Sequence, residues 1–307
     1  MNRRKFVKSG AALGALLTFS NDLFGNNTSR RMVKPKNQFQ LNYAPHEGMF
    51  KEHAGEAIVD QIKYMNSLGF KAFEDNEMRN RSVSEQEYIA KTMAKLGMNM
   101  GVFVAHKIYW KEPNLASGDK TYREEFLNDI KKSIEVAKRV NAKWMTVVPG
   151  HVDLRKNMSF QMANVIETLK QASEILEPHG LIMVLEPLNF RDHPGMFLSE
   201  SPQAYEICKS VNSSSCKILF DIYHQQIQEG NLLPNIEACW DEIAYFQIGD
   251  NPGRNEPTTG EINYKNVFKY IHGKGYKGIL GMEHSNSVSG KKGEQLLIEA
   301  YKSVDDF

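Results

Sequence analysis

Eight short apolar runs punctuate the chain at near-regular intervals, with amphipathic stretches between them. The runs are FQLNYA (39–44), KAFED (71–75), NMGVFVA (99–105), KWMTVV (143–148), LIMVLEP (181–187), CKILFD (216–221), IAYFQIGD (243–250) and GILGMEH (278–284). Near-continuous hydrophobicity of this kind suits parallel strands covered on both faces. The intervening stretches have helical spacing. AGEAIVDQIKYMNSLGF puts Ile58, Ile62 and Met65 on one face and stops at Gly69. SVSEQEYIAKTMAKLGM opens on a Ser-x-x-Glu cap, read as Ser84 to Glu87, and stops at Gly97. YREEFLNDIKKSIEVAKRVNA is long and charge-striped, and MANVIETLKQASEILEPHG ends in a Pro-His-Gly stop.

Strand followed by helix, eight times over roughly 270 residues, predicts an α/β protein of the (β/α)8, or TIM, barrel type. A doubly wound open sheet is the alternative, but no GxGxxG phosphate loop follows the first run. No linker rich in Pro, Gly or Ser divides the chain, so residues 36–307 are expected to form one barrel domain. Residues 1–35 stand apart. MNRRKFVKSGAALGALLTFS pairs a basic head with an apolar stretch from Ala11 to Phe19 that is too short to span a bilayer. Its RRKFVK head resembles the twin-arginine export motif, which predicts a signal segment and a periplasmic location. No later run is long and apolar enough for a membrane helix.

Composition adds exclusions. The 307 residues, 41% of them hydrophobic, suffice for one large core, and the formal charge of +1 offers no global field for nucleic acid. Cys208, Cys216 and Cys239 lack CxxC spacing, which argues against a disulfide framework or zinc ribbon and for buried small side chains.

The candidate chemistry lies where the runs end. Glu186 closes the fifth, Asp221 the sixth and Glu283 the eighth, while Gln247 sits in the seventh. In a barrel those ends converge on the active-site mouth. Each residue alone reads equally well as a helix cap, an ion-pair partner or a satisfied core amide. Four at equivalent depth on consecutive strands are hard to obtain as unrelated caps. Buried carboxylates in one mouth demand a countercharge, and three of them with an amide oxygen are hard ligands suited to Mg2+ or Mn2+. His224 follows Asp221 closely enough to donate to a substrate oxygen. His106 and His151 sit at the ends of the third and fourth runs and are candidates for the pocket wall, whereas His284 suits a supporting role.

The segments LEPLN, FDIYHQQIQEGNL, FQIGDNPGRNEPTTGEINY and GMEH resemble the hydroxypyruvate isomerase family, within the xylose-isomerase-like sugar isomerase and epimerase barrels. The similarity covers most of residues 38–304. It implies that Glu186, Asp221, Gln247 and Glu283 bind one divalent metal and that Glu186 and Glu283 form the acid/base pair. It also implies that His224 and Arg254 contact substrate, with Gln226 and Glu256 in the same shared motifs. Many relatives self-associate as homo-oligomers, but the sequence identifies no surface patch for it. The loop after the third run departs from the family pattern: AHKIYWKEPNLASGDKTYREEF brings His106, Tyr109 and Trp110. Loops after barrel strands set specificity, so the substrate is less well defined than the reaction, and Tyr109 or Trp110 is a candidate stacking wall. The leading expectation is a metal-dependent isomerase converting hydroxypyruvate, or a similar small hydroxy-carbonyl compound, through an enediolate. A ketose 3-epimerase is the alternative. An endonuclease at abasic DNA sites would need a His-rich, multi-metal mouth and basic phosphate contacts, and a non-catalytic sugar binder would not need the Glu186/Glu283 pair.

Overall fold

The structure is a computed structural model that describes residues 39–307. The basic head and the apolar stretch after it lie outside the described residues. Eight parallel strands follow in chain order: β1 (Asn42–Pro45), β2 (Ala72–Phe73), β3 (Asn99–Met100), β4 (Trp144–Val147), β5 (Ile182–Leu185), β6 (Cys216–Asp221), β7 (Ile243–Gln247) and β8 (Ile279–Met282). Six form one sheet in the order β1-β8-β7-β6-β5-β4, and β2 pairs with β3. Single bridges, His46 to Glu74 and Val104 to Thr146, close the ring on either side of the β2–β3 pair. The result is the eight-stranded barrel, with helices packed around it.

Helix positions follow the apolar stripes. The helix Ile58–Ser67 buries Val59, Ile62 and Met65, and Ile58 packs at the edge of the same core. The helix Val83–Leu96 carries a reciprocal capping box, but between Ser82 and Glu85 rather than between Ser84 and Glu87. Two Ser-x-x-Glu registers overlap in SVSE and SEQE, and the extended backbone at Ser82 selects the earlier one. Long helices at Lys120–Val140 and Met158–Leu176 flank β4. All three cysteines are free and buried, and no described helix is long and apolar enough to cross a membrane.

The barrel interior explains where the polar residues fall. Ala44, Ala72, Val184, Leu219, Tyr245 and Ile279 form an apolar cluster, with Trp144 packed on it. Side chains two residues apart on a strand share a face. Two steps along, the inward position turns polar: His46 follows Ala44, Glu74 follows Ala72, Thr146 follows Trp144, Glu186 follows Val184, Asp221 follows Leu219 and Gln247 follows Tyr245. On β8 the matching position is Gly281, and Glu283 comes two residues later. Register agrees, since Asp221 pairs with Gln247 and Gln247 with Gly281. A polar layer therefore sits on an apolar one at the C-terminal end of the barrel, where TIM-barrel sites are built.

Candidate active site

Glu186, Asp221, Gln247 and Glu283 meet at this end. Glu186, Asp221 and Gln247 are buried, and the Glu283 side chain is about one-fifth exposed. Asp221 divides its oxygens. Oδ1 accepts from the backbone N–H groups of Tyr223 (2.8 Å) and His224 (3.3 Å), capping the short helix Ile222–Gln228. Oδ2 accepts from Arg254 Nη2 at 3.0 Å. The same Nη2 donates to Glu283 Oε2 at 2.8 Å, and Glu283 Oε1 accepts from Asn76 Nδ2 at 2.7 Å. Arg254 thus bridges two of the acids, with its guanidinium carbon 4.9 Å from the Tyr223 ring centre. Burial, then repulsion from Glu283 and Asp221, pushes Glu186 well above the usual carboxylate range. Burial also raises Glu283; Arg254 opposes the rise and Asp221 adds to it.

His224 lies against the acids, its Nε2 3.7 Å from Glu186 Oε1 and 3.6 Å from Asp221 Oδ2. Its tautomer follows from its neighbours. Asn189 Oδ1 accepts from the backbone N–H of Arg191 and of Asp192, both at 3.0 Å, which fixes that amide. Asn189 Nδ2 and the Asn189 backbone N–H then both donate to His224 Nδ1, at 2.6 and 3.3 Å. Nδ1 is an acceptor, so the neutral ring carries its hydrogen on Nε2, facing the acids. Burial lowers the ring's pKa to about 4, against the opposing pull of Asp221.

The acids open onto a cavity of about 490 Å3, lined by Glu186, Glu283, His224 and Arg254 and, further out, by Ile108, Trp110, Leu188 and His193. The Trp110 and His193 rings stack with centroids 5.1 Å apart, and His193 meets His224 at 5.4 Å. His106 also lines the cavity, but both its nitrogens are engaged: Nδ1 donates to the Lys107 carbonyl at 2.9 Å and Nε2 accepts from the Val148 N–H at 3.2 Å. Its role here is to tie two strand ends together. His151 and His284 do not line this cavity; His284 is bound to the Ser285 carbonyl and Tyr301. Tyr109 is also off the wall, in an exposed contact with Lys107 and Glu125.

Gln226 and Glu256 lie off the cavity as well. Gln226 donates to Glu261 at 3.3 Å, and Glu256 accepts from the Ser287 N–H and hydroxyl. In the structure both contact the loop that bears Arg254 or its neighbour Ser287. Asp250 anchors that loop by accepting from the backbone N–H groups of Asn251, Gly260 and Ile262. Arg254 has φ of +49°, a left-handed conformation costly for a residue with a Cβ, and is held by its N–H to the Asp250 carbonyl at 2.8 Å. Most of the motif from Gly249 to Tyr264 therefore scaffolds one guanidinium.

Glu74 and His46 belong to the same polar layer and were not singled out from the sequence. Glu74 is fully buried and accepts from Tyr245 Oη and from Gln247 Nε2 (2.8 Å), with His46 Nε2 at 2.6 Å. Burial works against a charged His46 ring, but Glu74 outweighs it and the pKa is raised. The signal was present in KAFED, whose acid closes a run as Glu186, Asp221 and Glu283 close theirs.

The group fits a hard divalent cation. Gln247 Oε1 is buried without a hydrogen-bond partner among the described residues, and a single guanidinium does not neutralise three neighbouring carboxylates. Glu186, Asp221 and Glu283 through carboxylate oxygens, and Gln247 through Oε1, are the residues that could hold it. Ligand-capable atoms of Glu186, Asp221 and His224 all lie within 4.8 Å of one another. The Nε2 hydrogen makes His224 a donor beside such an ion rather than a ligand to it.

An acid-lined mouth on this barrel defines a class, and sequence comparison agrees. The chain belongs to the xylose isomerase-like TIM barrel family, which matches residues 62–305. Hydroxypyruvate isomerase of Escherichia coli (strain K12) is 33% identical over 170 residues, 55% of this chain and 66% of the relative's own length. 2-Oxo-tetronate isomerase of Cupriavidus necator is 28% identical over 237 residues, 77% of this chain and 89% of the relative. Among solved structures, 3-keto-D-glucoside 4-epimerase from E. coli in its apo form superposes with a TM-score of 0.71. It covers 86% of this chain and 98% of that one at 17% identity, a likeness of fold.

Proposed function

We propose that this protein is an isomerase of a small hydroxy-keto acid, moving a proton between adjacent carbons with Glu186 and Glu283 as base and acid. The observation that carries the reading is the convergence of these two glutamates on one cavity, with Arg254 and the Nε2–H of His224 as fixed donors beside them. The isomerase names of the relatives support it. One glutamate removes the C–H proton α to the carbonyl. The electron pair forms the carbon–carbon double bond of an enediolate, and the former carbonyl oxygen takes up the charge. Arg254 and His224 donate toward oxygens that carry that charge. Return of a proton to the former carbonyl carbon, with transfer of the hydroxyl proton between oxygens, completes the isomerisation. A divalent cation at Glu186, Asp221, Gln247 and Glu283 would supply Lewis-acid stabilisation of the same charge.

Cavity size favours a second reading beside this one. About 490 Å3 is roughly sixteen water volumes, well beyond a three-carbon acid, and the Trp110–His193 stack offers a wall for a longer chain. A ketose 3-epimerase would use the same two glutamates on opposite faces of one carbon.

Solvent-deuterium incorporation tests both. Hydroxypyruvate, four-carbon 2-oxo acids and free ketoses are incubated with Mn2+-supplemented enzyme in D2O and followed by NMR. We expect exchange and isomerisation with a 2-oxo acid, lost by 100-fold or more in Glu186→Gln and Glu283→Gln. Exchange confined to C3 of ketoses would replace the isomerase with the epimerase, and no exchange with any compound would remove catalysis of this type.

A further inference from the structure

Glu74 is the buried acid for which the proposed chemistry has no task. It is fully buried, does not line the cavity and lies on β2's extension, three strands away from β7 around the ring. Even so its carboxylate reaches β7, where it meets the hydroxyl of Tyr245 and the amide of Gln247. Two glycines leave room for the crossing. A methyl group on Gly281, Gln247's partner in register, would fall on the Glu74 carboxylate, and one on Gly101 would collide with the Tyr245 hydroxyl. An isolated carboxylate inside a barrel is strongly disfavoured, yet the interior is shaped to admit this one and surrounds it with donors.

We infer that Glu74 is a positioning residue that sets which end of the Gln247 amide faces the metal ligands. The polarity of the contact carries the inference. Gln247 Nε2 donates to Glu74 Oε1 at 2.8 Å, so the NH2 end of the amide is turned to Glu74. Its Oε1 is then directed away, and that atom is buried with no partner among the described residues. Without Glu74 the amide is free to rotate by half a turn and present NH2, which cannot ligate a cation. This inference rests on the reading of Gln247 as an oxygen ligand, and its test separates the two.

Mn2+ affinity is measured by calorimetry on the full chain, with unfolding curves to confirm that each variant is folded at the titration temperature. The variants are Gln247→Leu, Glu74→Leu and the double variant Glu74→Gln/Gln247→Glu. Gln247→Leu and Glu74→Leu, which removes the acceptor for the Gln247 amide, should each weaken Mn2+ by roughly 10- to 100-fold, the usual range for lost supporting contacts at metal sites. The double variant exchanges the amide and carboxylate without changing their shapes. A carboxylate at position 247 presents oxygen whichever way it turns, so affinity should return to within a few-fold of wild type. A residue that only stabilised the fold would shift the unfolding curve and leave the Mn2+ affinity of the folded protein unchanged. If Gln247→Leu weakens binding and Glu74→Leu does not, the positioning role is overturned while the ligand assignment stands. If both single variants weaken binding and the double variant stays weak, orientation of the amide is not what Glu74 supplies. If wild type binds no Mn2+, or Gln247→Leu binds as wild type does, the ligand assignment fails and the inference with it. Should Glu74→Leu not fold, Tyr245→Phe removes another donor that fixes the Glu74 carboxylate. Its Mn2+ affinity should fall several-fold, and an unchanged value overturns the inference.

Discussion

Asn189 determines which nitrogen of His224 faces the acids. Two backbone N–H groups fix its carbonyl oxygen, its amide and its own backbone N–H point at Nδ1, and the hydrogen is left on Nε2. Desolvation keeps the ring neutral, its pKa lowered to about 4. Long-range 1H–15N NMR of the metal-free protein should therefore show a single neutral Nε2–H tautomer for His224 from pH 6 to 8. A doubly protonated ring at pH 7, or the Nδ1–H form, contradicts this. The linkage has a definite sign. An unfolded chain takes up this proton near pH 6.5 and the folded chain near 4. Acidification below about 6.5 therefore favours the unfolded state through this group. A histidine three residues after an aspartate was visible in FDIYH. Which nitrogen it offers was not, because Asn189 sits on another strand's loop and only folding brings the two together.

The loop from Gly249 to Tyr264 shows the same dependence at the scale of an element. Of its charged residues, only Arg254 reaches the acids. Asp250, Glu256 and Glu261 bind backbone or side chains of the loop and its neighbours. Asp250→Ala would strip the acceptor from three backbone N–H groups, at about 1–3 kcal/mol for each that stays buried and unpaired. We expect a clearly lower urea midpoint and, in the folded fraction, a several-fold rise in KM as Arg254 loses its fixed placement. An unchanged midpoint and KM would show that the loop holds itself without Asp250. Motif spacing located this loop correctly. It could not separate the residue that reaches the acids from those that hold the loop, since both kinds are charged and both recur in one short stretch.

At the scale of the molecule, strand count, parallel order and closure were legible because most of the apolar runs end at or just before a glycine, a proline or an acid and the helices between them carry apolar stripes. Half of the polar layer was not. Acids at the ends of β5, β6 and β8 stood out beside recognisable motifs, whereas Glu74 follows a strand only two residues long and His46 lies beside no such motif. Their place follows from the two-residue step beyond the apolar interior layer, from Ala72 to Glu74 and from Ala44 to His46. The same geometry bears on how the ring stays shut. The β2–β3 pair joins the larger sheet through one bridge at each side, so its backbone attachment is the sparsest in the barrel. Hydrogen exchange followed by mass spectrometry should find the amides of residues 72–74 and 99–101 exchanging sooner than those of β5 to β7; uniform protection around the ring would contradict this. The contacts of Glu74 with Tyr245 and Gln247 then act as a spoke across a wheel whose rim is weakest beside it. Whatever tightens Gln247 also steadies that rim, so filling the site should slow exchange in β2 and β3 as well.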